Sequence, residues 1–119
     1  MARRQVSTQG SPPALGPYSQ AIVAGGFVFC SGTAGIDPVT GSLPEGIAEQ
    51  TEQPLSNLAS ILQAAGSAMD HHVKTTIFYA NVGDFGVINE VYARHMPDPP
   101  PSRSAPSSVA LHRGLLISI

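Results

Sequence analysis

Arg103 stands at the end of Met96-Pro97-Asp98-Pro99-Pro100-Pro101-Ser102-Arg103-Ser104, a stretch that confines its approach to extended or polyproline geometry. A planar, permanently charged guanidinium on a stiff arm is well suited to gripping a small carboxylate through two parallel hydrogen bonds. A second segment, Leu15-Gly16-Pro17-Tyr18-Ser19-Gln20, fixes a turn through Gly-Pro and presents a tyrosine hydroxyl. Between them lie Cys30-Ser31-Gly32-Thr33, Val73-Lys74-Thr75-Thr76 and Asn89-Glu90-Val91-Tyr92. The two outer segments look built for one small anionic ligand, and the chemistry they suggest is carboxylate recognition.

Arg103 is not one basic group among many. The 119 residues contain only six Lys and Arg against eight Asp and Glu, a formal charge of −2. That balance argues against nucleic acid held by a broad basic footprint. A chain this long is expected to be one domain, residues 1–119, with a core that needs no disulfide or metal. Hydrophobic residues make up 42% and charged residues 12%. So apolar a composition predicts that part of the surface is covered in an oligomer. Cys30 is the single cysteine, Arg3-Arg4 precede no apolar leader segment, and no run reaches membrane-spanning length. The expectation is a cytoplasmic protein with no membrane association.

The elements that must hold these residues read as α+β. Gln5–Gln20 is a shaped loop after a possible short strand. Ala21–Ala24 and Phe27–Ser31 form a hairpin about Gly25-Gly26, which supply positive φ angles. Leu55, Leu58, Ala59, Leu62 and Ala65 have helical spacing, with Gly66 as the stop. Pro54 either begins the body of that helix or kinks an earlier turn. His72–Ala80 reads as a strand. Asp84 is positioned to cap a second helix whose Phe85, Ile88 and Tyr92 share a face. Ser107–Leu111 and Leu115–Ile119 read as strands about a turn at Arg113-Gly114.

Gly-Pro-Tyr-Ser-Gln, Val-Lys-Thr-Thr and Arg-Ser, in this order, make the chain resemble the Rid family (YjgF/YER057c/UK114, or endoribonuclease L-PSP) from about Val6 to Ile119. The resemblance implies a chorismate-mutase-like fold: a mixed sheet with two helices on one face, assembled as a homotrimer with clefts between subunits. It implies an enamine/imine deaminase that hydrolyses reactive 2-iminoacids to 2-oxoacids and ammonia without a cofactor. By position, Arg103 would bind the substrate carboxylate, Tyr18 and Ser31 would line the cleft, and Asn89 would reach it from the second helix.

The family's water-activating glutamate falls, counting on from Arg103, at Ser118. A hydroxyl can hold a water there but cannot act as a base near neutral pH. Thr33 stands where the family commonly has Gln, and Pro106 interrupts the run after Arg103. Slow deamination, or carboxylate binding without turnover, are therefore the two functions carried forward; ribonuclease activity is the weaker third. Of the remaining groups, Cys30 reads as a small buried hydrophobe, since strand alternation turns it away from Ser31. His71-His72 lack partners at ligand spacing, so no metal is assigned.

Overall fold

The computed structural model describes residues 2–119, and its strands form three short ladders that further hydrogen bonds join. The first comprises β1 (Arg4–Val6), β2 (Ala21–Ala24) and β3 (Phe27–Cys30), all antiparallel. Gly25 and Gly26, at φ 59° and 81°, close the β2–β3 hairpin with the backbone twist such a two-residue turn demands. The segment 74–79 is a strand whose partners change along its length. Its first part, β4 (Lys74–Thr76), runs parallel to β6 (Ser102–Ser104). Its second, β5 (Phe78–Tyr79), runs antiparallel to β7 (Ile117–Ser118). Thr33 and Ile119 exchange backbone hydrogen bonds of 2.7 and 3.1 Å, which tie the chain after β3 to the end of β7. The spatial order is thus β1-β2-β3, the Thr33 segment, β7, β4/β5 and β6.

Helix α1 spans Ile47–Ala64 and α2 spans Phe85–Ala93. Gly66, at φ 85°, ends α1 as its spacing predicts. Its N–H reaches Gln63 and the next N–H, from Ser67, reaches Leu62, the paired bonds of a Schellman ending. Leu55 of α1 and Ile88, Val91 and Tyr92 of α2 meet Ile77, Tyr79, Ile117 and Ile119 of the sheet in one core. A smaller cluster joins Ile61 to Val6 and Ala21. Both helices therefore cover the same side of the strands. No helix among the described residues is long and apolar enough to cross a membrane.

Four expectations change. Helix α1 begins before Pro54 and runs through it, so Pro54 does not start the element. Its ring deprives Gln50 of the usual partner, and Gly35 packs there: a Cβ on Gly35 would sit 2.9 Å from the Gln50 carbonyl oxygen. Asp84 makes no side-chain cap, because a 3-10 turn at Val82–Asp84 leads directly into α2. The strand expected over His72–Ala80 starts only at Lys74, after a 3-10 turn at Met69–His71. Ser107–Leu111 is not a strand: Pro106 offers no N–H and Ser108 adopts φ 60°. The segment Leu115–Ile119, expected to be its neighbour about the Arg113-Gly114 turn, pairs instead through Ile117–Ser118 with β5.

Candidate functional site

Arg103 sits on β6 opposite Thr75, and its side chain turns toward the helices. The guanidinium carbon lies 5.0 Å from the centre of the Tyr92 ring and 5.5 Å from that of Phe85. Phe85 stacks in turn on Tyr79 at 5.9 Å. The planar cation rests on two aromatic faces, an arrangement that attracts it and limits its rotamers. Among the described residues the ion pairs are Glu90–Arg94 and Glu52–His95, so no carboxylate within the chain neutralises Arg103.

Asn89 follows Phe85 by four residues and precedes Tyr92 by three, which places it on the same stripe of α2. Its Oδ1 is buried and has no hydrogen-bond partner. Beneath this stripe, the Tyr92 hydroxyl donates to Thr75 Oγ1 at 2.8 Å, and His72 Nε2 lies 3.0 Å from the same oxygen. Burial pushes the His72 imidazole below its ordinary pKa, favouring the neutral ring.

Tyr18, Ser31 and Ser118 gather elsewhere. The Tyr18 N–H closes a turn onto the Gly16 carbonyl at 2.8 Å, and its hydroxyl accepts from the Leu15 N–H at 3.2 Å. The ring itself is 51% exposed. Ser31 Oγ donates to the Ser19 carbonyl at 2.6 Å, fastening the strand end to this loop. Ile117 and Ile119 are buried in the core, so Ser118 between them points to the opposite side of the sheet. There its Oγ crowds Gly32, where an added Cβ would lie 3.1 Å away.

Gln20 has a role that its place in the Gly-Pro-Tyr-Ser-Gln run did not announce. Its buried amide donates to the carbonyls of Thr8, Ser11 and Pro12 and accepts from the Thr8 N–H, clamping the loop that carries Tyr18. The stacking partners Phe85 and Tyr92 were legible only as core residues, since their helical spacing says nothing about β6. Cys30 faces Ile61 and Val6 as alternation predicts; burial raises its thiol pKa, which disfavours the thiolate.

The sequence-derived site residues thus fall into two groups within one chain: Arg103 with Asn89, and Tyr18 with Ser31 and Ser118. From β6 across β4/β5 to Ser118 on β7 is two strand spacings, roughly 10 Å, with the Thr33 segment one spacing further, and Ser118 faces away from the helices whereas Arg103 faces them. A four-carbon acid cannot touch both groups in a single copy.

Known proteins repeat this chain over nearly its whole length. The family described as Endoribonuclease L-PSP matches residues 8–119. The chain belongs to that family. Its L-PSP relatives include Reactive Intermediate Deaminase A, chloroplastic, of Arabidopsis thaliana, 47% identical over 115 residues. That match covers 96% of this chain but 62% of the relative, so the chain spans less than two-thirds of the plant protein. The 2-iminobutanoate/2-iminopropanoate deaminase of Mus musculus is 42% identical over 118 residues, covering 98% of this chain and 87% of the relative. Among L-PSP structures, Escherichia coli TdcF with bound serine superposes at a TM-score of 0.91 with 33% identity. The superposition covers 97% of this chain and 93% of TdcF.

Proposed function

We propose that this protein is a hydrolytic deaminase of small 2-iminoacids, acting in a cleft that two copies of the chain build together. The deaminase names borne by relatives 42–47% identical support the reaction class. Serine bound to TdcF, a small carboxylic acid on a protein of the same fold, supports the ligand class. The observation that carries the shared cleft is the separation of Arg103 and Asn89 from Tyr18, Ser31 and Ser118 within one copy. A homotrimer of the chorismate-mutase-like kind closes a ring in which each subunit lends one group to the next. The sheet face away from the helices supports such packing, with Phe27 56%, Phe29 60% and Phe78 42% exposed. A lone cysteine fits a reducing compartment, and the cytoplasm is part of this reading.

In that cleft, Arg103 holds the carboxylate with its guanidinium already oriented by the Phe85 and Tyr92 rings, which aligns the imine carbon for attack. Water adds to that carbon and the imine nitrogen takes the proton, giving a tetrahedral amino alcohol. The C–N bond then breaks, ammonia leaves, and loss of the hydroxyl proton forms the 2-oxoacid. Ser118 holds the water through its hydroxyl; the substrate's own nitrogen, rather than a carboxylate, receives the proton. No cofactor enters this scheme.

The absence of a basic side chain at position 118 also favours a second reading, a small-carboxylate-binding trimer with little turnover. A mixing experiment tests the shared cleft. Arg103→Ala removes the anchor, and Tyr18→Asp, at an exposed position, sets a carboxylate against the substrate's own. Each variant alone is expected to be strongly impaired, and co-refolded mixtures to regain activity, because some clefts then receive an intact half from each. Activity that stays at the variants' level in verified mixed oligomers would mean that each cleft is built by one copy.

A further inference from the structure

The Val73-Lys74-Thr75-Thr76 run takes no part in the deamination steps, yet it helps to set a polar chain beneath the Arg103 side chain. Thr75 pairs with Arg103 across the parallel β4–β6 ladder, and its side chain is buried. Its Oγ1 receives the Tyr92 hydroxyl at 2.8 Å, and Nε2 of His72 lies 3.0 Å from the same oxygen. Residues 72 and 75 of a straight strand would face opposite sides of the sheet. Here the strand begins only at Lys74, and His72 leaves the Met69–His71 turn at φ −64° and ψ 127° with its ring set against Thr75.

Counting protons fixes the direction of the chain. Burial favours the neutral His72 ring, which carries a single N–H. Its Nδ1 is buried and has no hydrogen-bond partner. If Tyr92 donates to Thr75 and Thr75 donates to Nε2, both hydroxyl protons are used and only the N–H at Nδ1 is left over. With the proton on Nε2 instead, a hydroxyl proton and the Nδ1 lone pair would both lack partners. The network therefore assigns the proton to Nδ1. A chain of donors ending on a basic nitrogen strengthens each of its links. At its other end stands the phenol whose ring centre lies 5.0 Å from the Arg103 guanidinium carbon.

We infer that His72 and Thr75 are positioning residues for Arg103, acting through the Tyr92 hydroxyl. The Tyr92 ring is anchored on α2 at its Cβ and on β4 at its hydroxyl, so the face that carries the guanidinium resists swinging. Donation to Thr75 also moves electron density from the phenol oxygen into the ring, which deepens the negative face that attracts the cation. The use of Arg103 as a carboxylate anchor rests on the deaminase reading; the tether that holds it does not.

Tyr92→Phe keeps the ring and removes the tether, Thr75→Val keeps the shape and removes the acceptor, and Thr75→Ser restores the hydroxyl. The Nε–H proton signal of Arg103 reports the guanidinium's place, because a proton above an aromatic face is displaced upfield. In Tyr92→Phe and Thr75→Val that displacement is expected to shrink by about a third or more. In both, kcat/KM for 2-iminobutanoate is expected to fall about two- to fivefold. Thr75→Ser is expected to retain both wild-type values. His72→Phe, which removes the acceptor nitrogen, is expected to move the signal the same way alone and to add nothing to Tyr92→Phe, where the chain is already cut. An Arg103 signal that Tyr92→Phe and Thr75→Val leave in place overturns the inference whatever the activity, as does full additivity of His72→Phe and Tyr92→Phe. Signals that move as expected in a protein without deaminase activity support the positioning and refute the deaminase reading alone.

Discussion

Replacing Phe85 with leucine tests whether the aromatic faces beside Arg103 prepare it for its ligand. The guanidinium carbon is 5.5 Å from the Phe85 ring centre and 5.0 Å from that of Tyr92, so one of two stacking partners is lost. Arg103 and Phe85 are both partly exposed, which places the interaction at the weak end, about 0.5–1 kcal/mol. Leucine keeps an apolar contact with Tyr79 and leaves the charge of Arg103 untouched. If the lost stacking frees the guanidinium, affinity for 2-oxobutanoate should fall about two- to fivefold, the equivalent of that energy. Isothermal titration of the wild type, Phe85→Leu, Arg103→Ala and the double variant completes a cycle. Phe85→Leu should weaken binding in the wild type and change nothing further once Arg103 is gone. An equal loss in both backgrounds would show that Phe85 acts on fold or cleft shape, and the preorganisation argument would be wrong.

Gln20→Ala leaves the Thr8 N–H and three carbonyls without their partner. It should lower stability by about 1–3 kcal/mol in urea unfolding and speed proteolysis between Gln9 and Tyr18; unchanged values for both would refute the clamp. His72 has a lowered pKa through burial, so the unfolded chain binds more protons as pH falls below about 6.5. The stability this neutral ring contributes is complete above that pH and is lost as acid charges it. The melting temperature should therefore drop from pH 7.5 to pH 5, and less steeply in His72→Asn; parallel slopes would exclude the ring as a cause. Ser118→Glu supplies a base on the face that carries Ser31, and should raise kcat toward the order of 10²-fold if water activation limits turnover. An unchanged kcat with an intact fold would show that another step limits the rate.

Local chemistry made much of the fold legible. Gly25-Gly26 could close only a tight hairpin, and Leu55, Leu58 and Leu62 could share only a helix face. Gly66 ended that helix through its positive φ. Non-local pairing was not legible in the same way. Three residues, Ser102–Ser104, form a strand because the parallel partner Lys74–Thr76 lies alongside, and nothing in Pro-Pro-Pro-Ser-Arg-Ser encodes that partner. The residue types of the candidate site could be read off the chain. Their division into Arg103 with Asn89, and Tyr18 with Ser31 and Ser118, could not, because it depends on sheet order. Gln20 and Phe85 escaped for a related reason: a clamp and a stacking surface are defined by what lies opposite in space.

The most direct test of the account is hydrolysis of freshly generated 2-iminobutanoate by the wild type and by Arg103→Ala, with oligomeric state checked in both. A bidentate, charge-assisted grip is worth about 1.5–3 kcal/mol, so kcat/KM should fall about 10- to 150-fold in the variant. Wild-type acceleration that Arg103→Ala retains in full would contradict the carboxylate anchor on which the whole reading rests.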